Sequence, residues 1–230
     1  MKYKELVAIV DRNVEEYDLS ECLYFGALEK LKQVQENLNL LDDIRHVQRV
    51  IKLFLVSWGN MSRVVGRKGL KWKELGERLR NLEKEFSELR NKKFLTIDFN
   101  NAVVANPIKT IYAKLDNLPY LGSPTTISKV LHLLNPEIFV MWDNEIERKY
   151  HKRNHYVKYT PEGYLEFLKE SQKEIKEAFH DCQEETRQEL DEIEASVRKR
   201  YGNRTLARIV DQYNWMICHN AEMKKPVSVF

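Results

Sequence analysis

Residues Leu118–Tyr150 read "LPYLGSPTTISKVLHLLNPEIFVMWDNEIERKY". The stretch opens on a glycine-bearing turn, Leu118-Pro119-Tyr120-Leu121-Gly122. Ser123-Pro124 follows, an N-cap residue with proline at the first helical position, and predicts a helix over Thr125–Leu134. A single acid, Asp143, comes directly after Phe139, Val140, Met141 and Trp142 and just before a charged helix. Asp at that place caps a helix by accepting backbone N–H groups, a use worth about 1 kcal/mol. The same carboxylate can serve chemistry. At the mouth of an apolar pocket its field is poorly screened, and a helix N-terminus keeps it ionised. One group can do both.

Upstream, Asn106-Pro107 predicts the start of a short helix ending near Leu115. Two short helices joined by the LPxLG turn make a helix–hairpin–helix. The N–H groups of such a turn and the N-terminus of its second helix face the same way, a site for a nucleic-acid phosphate. It grips the backbone without reading sequence.

Further out, helical spacing dominates. Leu6, Val7, Val10 and Val14 predict a helix over about Tyr3–Tyr17, and Ser20 an N-cap for a second helix to about Leu38. Ile44, Val47, Val50, Ile51, Phe54 and Leu55 predict a core helix that stops at Ser57-Trp58-Gly59-Asn60. The loop "GNMSRVVGRKGLKWK" carries Arg63, Arg67 and Lys68 and suits phosphate contact. A charged helix is expected from Lys71 to about Arg90. "FLTIDF" (Phe94–Phe99) is the one passage resembling a strand, or else extended chain. Thr160 and Pro161 predict the cap and first residue of a long helix to about Cys182. Further helices are expected over about Glu184–Arg200 and Leu206–Ile217. His132, among leucines, reads as a hydrogen-bonded core histidine.

The chain has 230 residues, 43% hydrophobic and 32% charged, with 8 Gly and 6 Pro. This fits an all-α protein, taken as one domain over 1–230 with two interleaved helical lobes around a cleft. Its three cysteines, Cys22, Cys182 and Cys218, are far apart, which argues against a disulfide framework or a zinc ribbon. No signal pattern and no membrane-length apolar run occurs, so a cytoplasmic protein is expected, nuclear if the source is eukaryotic. The net charge of +3 is weak support for a polyanionic partner. No metal-ligand spacing, glycine-rich nucleotide loop or nucleophile elbow occurs, so no cofactor and no metal are expected.

The hairpin with its downstream acid resembles the helix-hairpin-helix DNA glycosylase superfamily, in the manner of endonuclease III. Leu118, Pro119, Leu121, Gly122 and Thr125 match its L-P-G-V-G-x-K-T-A hairpin. Downstream of Pro124, Trp142-Asp143-Asn144-Glu145 stands where the family places its catalytic acid. Tyr120 replaces the first hairpin glycine, and Pro124 occupies the position of the Schiff-base lysine of bifunctional members. Lys129 lies about one and a half helical turns further on and is expected to point elsewhere, the candidate for a displaced lysine. The cysteines of the iron–sulfur members are missing.

The resemblance implies binding of double-stranded DNA, extrusion of a damaged or mismatched base, and hydrolysis of its N-glycosidic bond with Asp143 as the catalytic carboxylate. Trp142, Tyr120 and Trp58 are candidates to pack against the base. Leu121, Gly122, Ser123 and Thr125, with Arg63, Arg67 and Lys68, are candidates to hold the DNA backbone. The alternative is a non-catalytic helical nucleic-acid-binding protein that keeps the hairpin.

Overall fold

Helix α1 runs unbroken over Tyr3–Glu36, straight through the break expected at Ser20. Its buried stripe includes two polar residues, Asn13 and Glu21, among Leu6, Val10, Tyr24, Leu31 and Val34. Read as a sequence, those polar residues interrupt the apolar pattern. In the fold both find partners on or just before the last helix, so the stripe is continuous.

The computed structural model describes residues 1–41, 45–58, 72–117, 123–154 and 159–220, apart from the side chains at 17–20, 41, 46, 57, 58, 72, 153 and 154. After α1 comes a 3-10 turn, Leu38–Leu41, then α2 (Arg45–Leu53), which widens into a π-helical turn at Phe54–Trp58. Then follow α3 (Trp72–Arg80), α4 (Glu83–Leu89), α5 (Ala102–Asp116), α6 (Pro124–Leu134), α7 (Asn144–Asn154), α8 (Pro161–Thr186), α9 (Leu190–Arg200) and α10 (Leu206–His219). The described residues are helices and connections, without a strand. None of the described helices is long and apolar enough to cross a membrane.

Several expected boundaries move. The helix expected from Lys71 to Arg90 is two, α3 and α4, parted at Asn81-Leu82. Phe94–Phe99 forms turns. Gln172 on α8 donates to the Phe94 carbonyl at 2.6 Å and to the Ile97 carbonyl at 2.7 Å. This segment therefore satisfies its backbone without a neighbouring strand. Helix α5 starts at Ala102 because the Asn101 side chain accepts from Val103 N at 2.9 Å, which leaves Pro107 inside the helix. Helix α8 extends to Thr186, and α9 does not begin until Leu190. Thr160 caps α8 as expected, its hydroxyl accepting from Gly163 N at 3.0 Å with Pro161 first in the helix.

One contiguous apolar cluster takes residues from α1 through α10. α1 packs along α10 and α6, α5 lies between α4 and α8, and α7 rests on α10 and α8.

Candidate functional site

The place of Asp143 follows from how the apolar residues before it are held. Ile138–Trp142 is buried and lies outside any helix. Two side chains one turn apart on α6 tie it down. His132 Nδ1 donates to the Phe139 carbonyl at 2.6 Å, and the Ser128 hydroxyl accepts from Trp142 N at 3.1 Å. Tyr164 on α8 donates to the Val140 carbonyl at 2.8 Å. The segment therefore runs back along α6 and delivers Asp143 beside the residues that follow Ser128.

His132 is the core histidine expected. Tyr24 donates to its Nε2 at 2.8 Å. Burial holds the His132 pKa down at about 3, so the ring stays neutral. Trp142 is core as well. It is 1% exposed, its ring 5.1 Å from Tyr164 and from Phe167. It lines the cavity described below, but it has no open face on which a base could stack.

Asp143 caps α7: Oδ1 accepts from the backbone of Glu145 and Ile146, both at 3.0 Å. Its other oxygen, Oδ2, accepts from His219 Nε2 at 2.7 Å, and the His219 ring stacks on Trp215 with centroids 5.2 Å apart. The carboxylate remains partly open, at 25% side-chain exposure. It sits on a cavity of about 270 Å³ whose lining also includes Lys129, Asp211, Gln212 and Trp215.

Lys129, the candidate displaced lysine, lines the same cavity as Asp143. Burial lowers its pKa, opposed by the negative charges of Asp211 and Asp143. Asp211, also buried, is pushed up to about 6 by desolvation, against the pull of Arg208 and Lys129. A lysine amine and two carboxyl groups in one cavity, with the protonation of Lys129 and Asp211 perturbed and an aromatic wall beside them, can transfer protons, stabilise a developing cation or supply an amine nucleophile.

The raised pKa of Asp211 has a measurable consequence. The folded chain holds this proton more tightly than the unfolded chain, whose reference is 3.8. Its contribution therefore favours folding below the unfolded value and declines as pH rises through about 6. Asp211→Asn should remove that component. Plotted between about pH 4 and about pH 7, the melting temperature of the variant is expected to fall less, or rise more, than that of the wild type. Parallel curves would rule the titration out.

Of the other expected site residues, Ser123 and Thr125 are half-buried at the start of α6; Ser123 is its N-cap, without a side-chain bond to the helix. Tyr120, Leu121, Gly122, Arg63, Arg67 and Lys68 lie outside the described residues, as does the side chain of Trp58. Sequence reasoning missed Asn13, Asp211, Gln212, Trp215 and His219. A signal existed for four of them: Asp211, Gln212, Trp215 and His219 follow Arg208 at helical spacing and form a second stripe on a helix read only for its apolar face. Among the described residues no group of three or more His, Cys, Asp or Glu could hold a metal ion. Compared with protein-family models, with curated proteins and with solved structures, the chain matches none of them.

Proposed function

We propose that this chain is a DNA base-excision glycosylase-like protein. It binds duplex DNA, takes an extruded base toward the cavity beside Asp143, and breaks the bond between base and sugar. The observation that carries the reading is the placement of Asp143: a carboxylate fixed by a helix N-terminus at a cavity, after a stretch resembling the helix-hairpin-helix glycosylases. Breaking an N-glycosidic bond builds positive charge on the sugar, and an ionised acid held nearby stabilises that charge or activates water. The hairpin turn, with Leu121, Gly122, Ser123 and Thr125, and the loop carrying Arg63, Arg67 and Lys68, would hold the backbone. Trp215, half-buried in the cavity wall, takes the aromatic role that Trp142, closed in the core, cannot.

The presence of Lys129 in the same cavity favours a version in which the lysine takes part. Its amine would attack the sugar C1′ as the base leaves with the bonding electron pair and takes one of the amine's protons; the C1′–O4′ bond then opens, O4′ takes the second proton, and the imine left at C1′ is one that borohydride can reduce. The test is a panel of duplexes, each with one damaged or mismatched base, assayed for base release with and without borohydride. The expected result is release from at least one duplex, with a covalent adduct that Lys129→Gln abolishes. Release without an adduct would leave a hydrolytic glycosylase and remove Lys129 as nucleophile. Salt-sensitive binding to every duplex with no release would favour the non-catalytic binding protein.

A further inference from the structure

The excision chemistry draws on Asp143 and Lys129 and leaves one feature of the cavity unused. Gln212 lines it and is 1% exposed. Its amide nitrogen donates to Asn13 Oδ1 on α1 at 2.9 Å, but its carbonyl oxygen Oε1 has no hydrogen-bond partner among the described residues. A buried acceptor without a donor is costly, and buried polar groups in folded proteins are paired in the great majority of cases. An apolar side chain of the same shape would avoid that cost if packing were the only requirement. The oxygen belongs to a residue on the wall of a cavity, where a ligand can supply the missing donor.

Three further observations narrow what that ligand is. Asn13 also lines the cavity and carries an amide nitrogen, so the pair combines an acceptor and a donor. Trp215, one turn beyond Gln212 and half-buried, adds aromatic surface to the wall. The volume is about 270 Å³. That lies just under the roughly 300–1,000 Å³ of pockets that enclose drug-sized ligands, so a single flat ring system is the scale of the occupant.

We infer that Gln212, with Asn13, is the specificity-determining element of this cavity and reads a planar heterocycle through an amide-type edge, a ring N–H beside a carbonyl. Gln212 Oε1 accepts from the ring N–H, and the Asn13 amide donates to the carbonyl. Among the bases of nucleic acid this describes the uracil and thymine ring and the 6-oxopurines, hypoxanthine and guanine, and excludes adenine and cytosine. The inference rests on the excision reading for the origin of its ligand, but its recognition chemistry can be tested without DNA.

The probes are free uracil and hypoxanthine beside 1,3-dimethyluracil and 1,9-dimethylhypoxanthine, which keep the ring and lose every N–H. Binding to the full chain is measured by equilibrium dialysis or by quenching of tryptophan fluorescence. The wild type should bind each unmethylated base at least about tenfold more tightly than its methylated partner, the order expected when a buried acceptor gains or loses its donor. Gln212→Met should erase the difference. Gln212→Glu, which keeps an acceptor of the same shape, should preserve it. The wild-type comparison stands even if Gln212→Met fails to fold. Equal binding of methylated and unmethylated bases, or no binding of any of the four, would overturn the inference. Selective binding of free bases by a protein that releases none from DNA would support it while ending the excision reading. Base release by a protein that ignores the methyl groups would do the reverse.

Discussion

Asp143→Asn is expected to lower the rate of base release by a factor of about 10²–10⁴, the range covered by loss of a positioned acid–base group or of a charge aimed at the transition state. The substitution is nearly isosteric, and the structure separates its effects on chemistry and on folding. Asn is as good an N-cap as Asp, so its carbonyl oxygen can keep accepting from Glu145 N and Ile146 N. What it loses is the charge, and with it the carboxylate that accepts from His219. Both members of that pair are partly open to water, so its loss should cost little stability. The variant should therefore melt within a few degrees of the wild type and still bind lesion-bearing duplexes. Excision that continues at the wild-type rate in a folded Asp143→Asn protein would take Asp143 out of the reaction. A loss of activity that merely tracked a loss of structure would make its role capping alone.

The second large effect concerns stability and a residue that reads as surface. Glu21 is 2% exposed on α1 and accepts from two buried arginines of the C-terminal part of the chain. Arg204 Nε reaches its Oε2 at 3.0 Å, and Arg208 Nη2 bonds its Oε1. Arg208 also bonds Asp211, and Arg204 bonds the Tyr201 carbonyl. Glu21→Leu would take the shared carboxylate from both Arg204 and Arg208 inside the protein. Breaking a buried pair from one side costs about 3–5 kcal/mol, because the remaining charge cannot be rehydrated. In a chain of this size each 1 kcal/mol corresponds to roughly 2–4 °C, so the melting temperature should drop by about 6–20 °C. The surface pair of Arg200 and Asp11, 2.7 Å apart, is the control. Half-open to water, it should give under about 1 kcal/mol when Asp11 becomes Asn. Replacing Glu21, Arg204, Arg208 and Asp211 together by Leu, Met, Met and Asn should recover much of the loss, since no buried charge of the cluster is then left alone. A Glu21→Leu protein as stable as the Asp11→Asn control would mean that the cluster is not closed to solvent.

Both substitutions bear on how far the chain can be read without its fold. The helical class, the Thr160–Pro161 start of α8, the Ser123–Pro124 start of α6 and the capping role of Asp143 depend on residues within one helical turn of each other. Local chemistry determines them, and they were legible. The buried state of His132 was legible for the same reason, since leucines flank it along its own helix.

What the tertiary structure alone decided are the partners brought from far along the chain. The continuity of α1 through Ser20 rests on Glu21 meeting Arg204 and Arg208, and on Asn13 meeting Gln212. A polar residue on a core face looks like an interruption until its counter-charge or hydrogen-bond partner is placed. Phe94–Phe99 alternates like a strand, yet Gln172 takes its carbonyls from another helix. Lys129 reads as out of register with the hairpin's usual lysine position, now Pro124, when helical turns are counted. The segment after α6 returns along that helix, pinned by Ser128 and His132, and places the acid beside the lysine's own turn. Sequence by itself determined the helices, their caps and the one acid worth watching. Packing decided which side chains share its cavity: the polar stripe of α10 is periodic in the sequence, but no period says which distant segment that stripe meets.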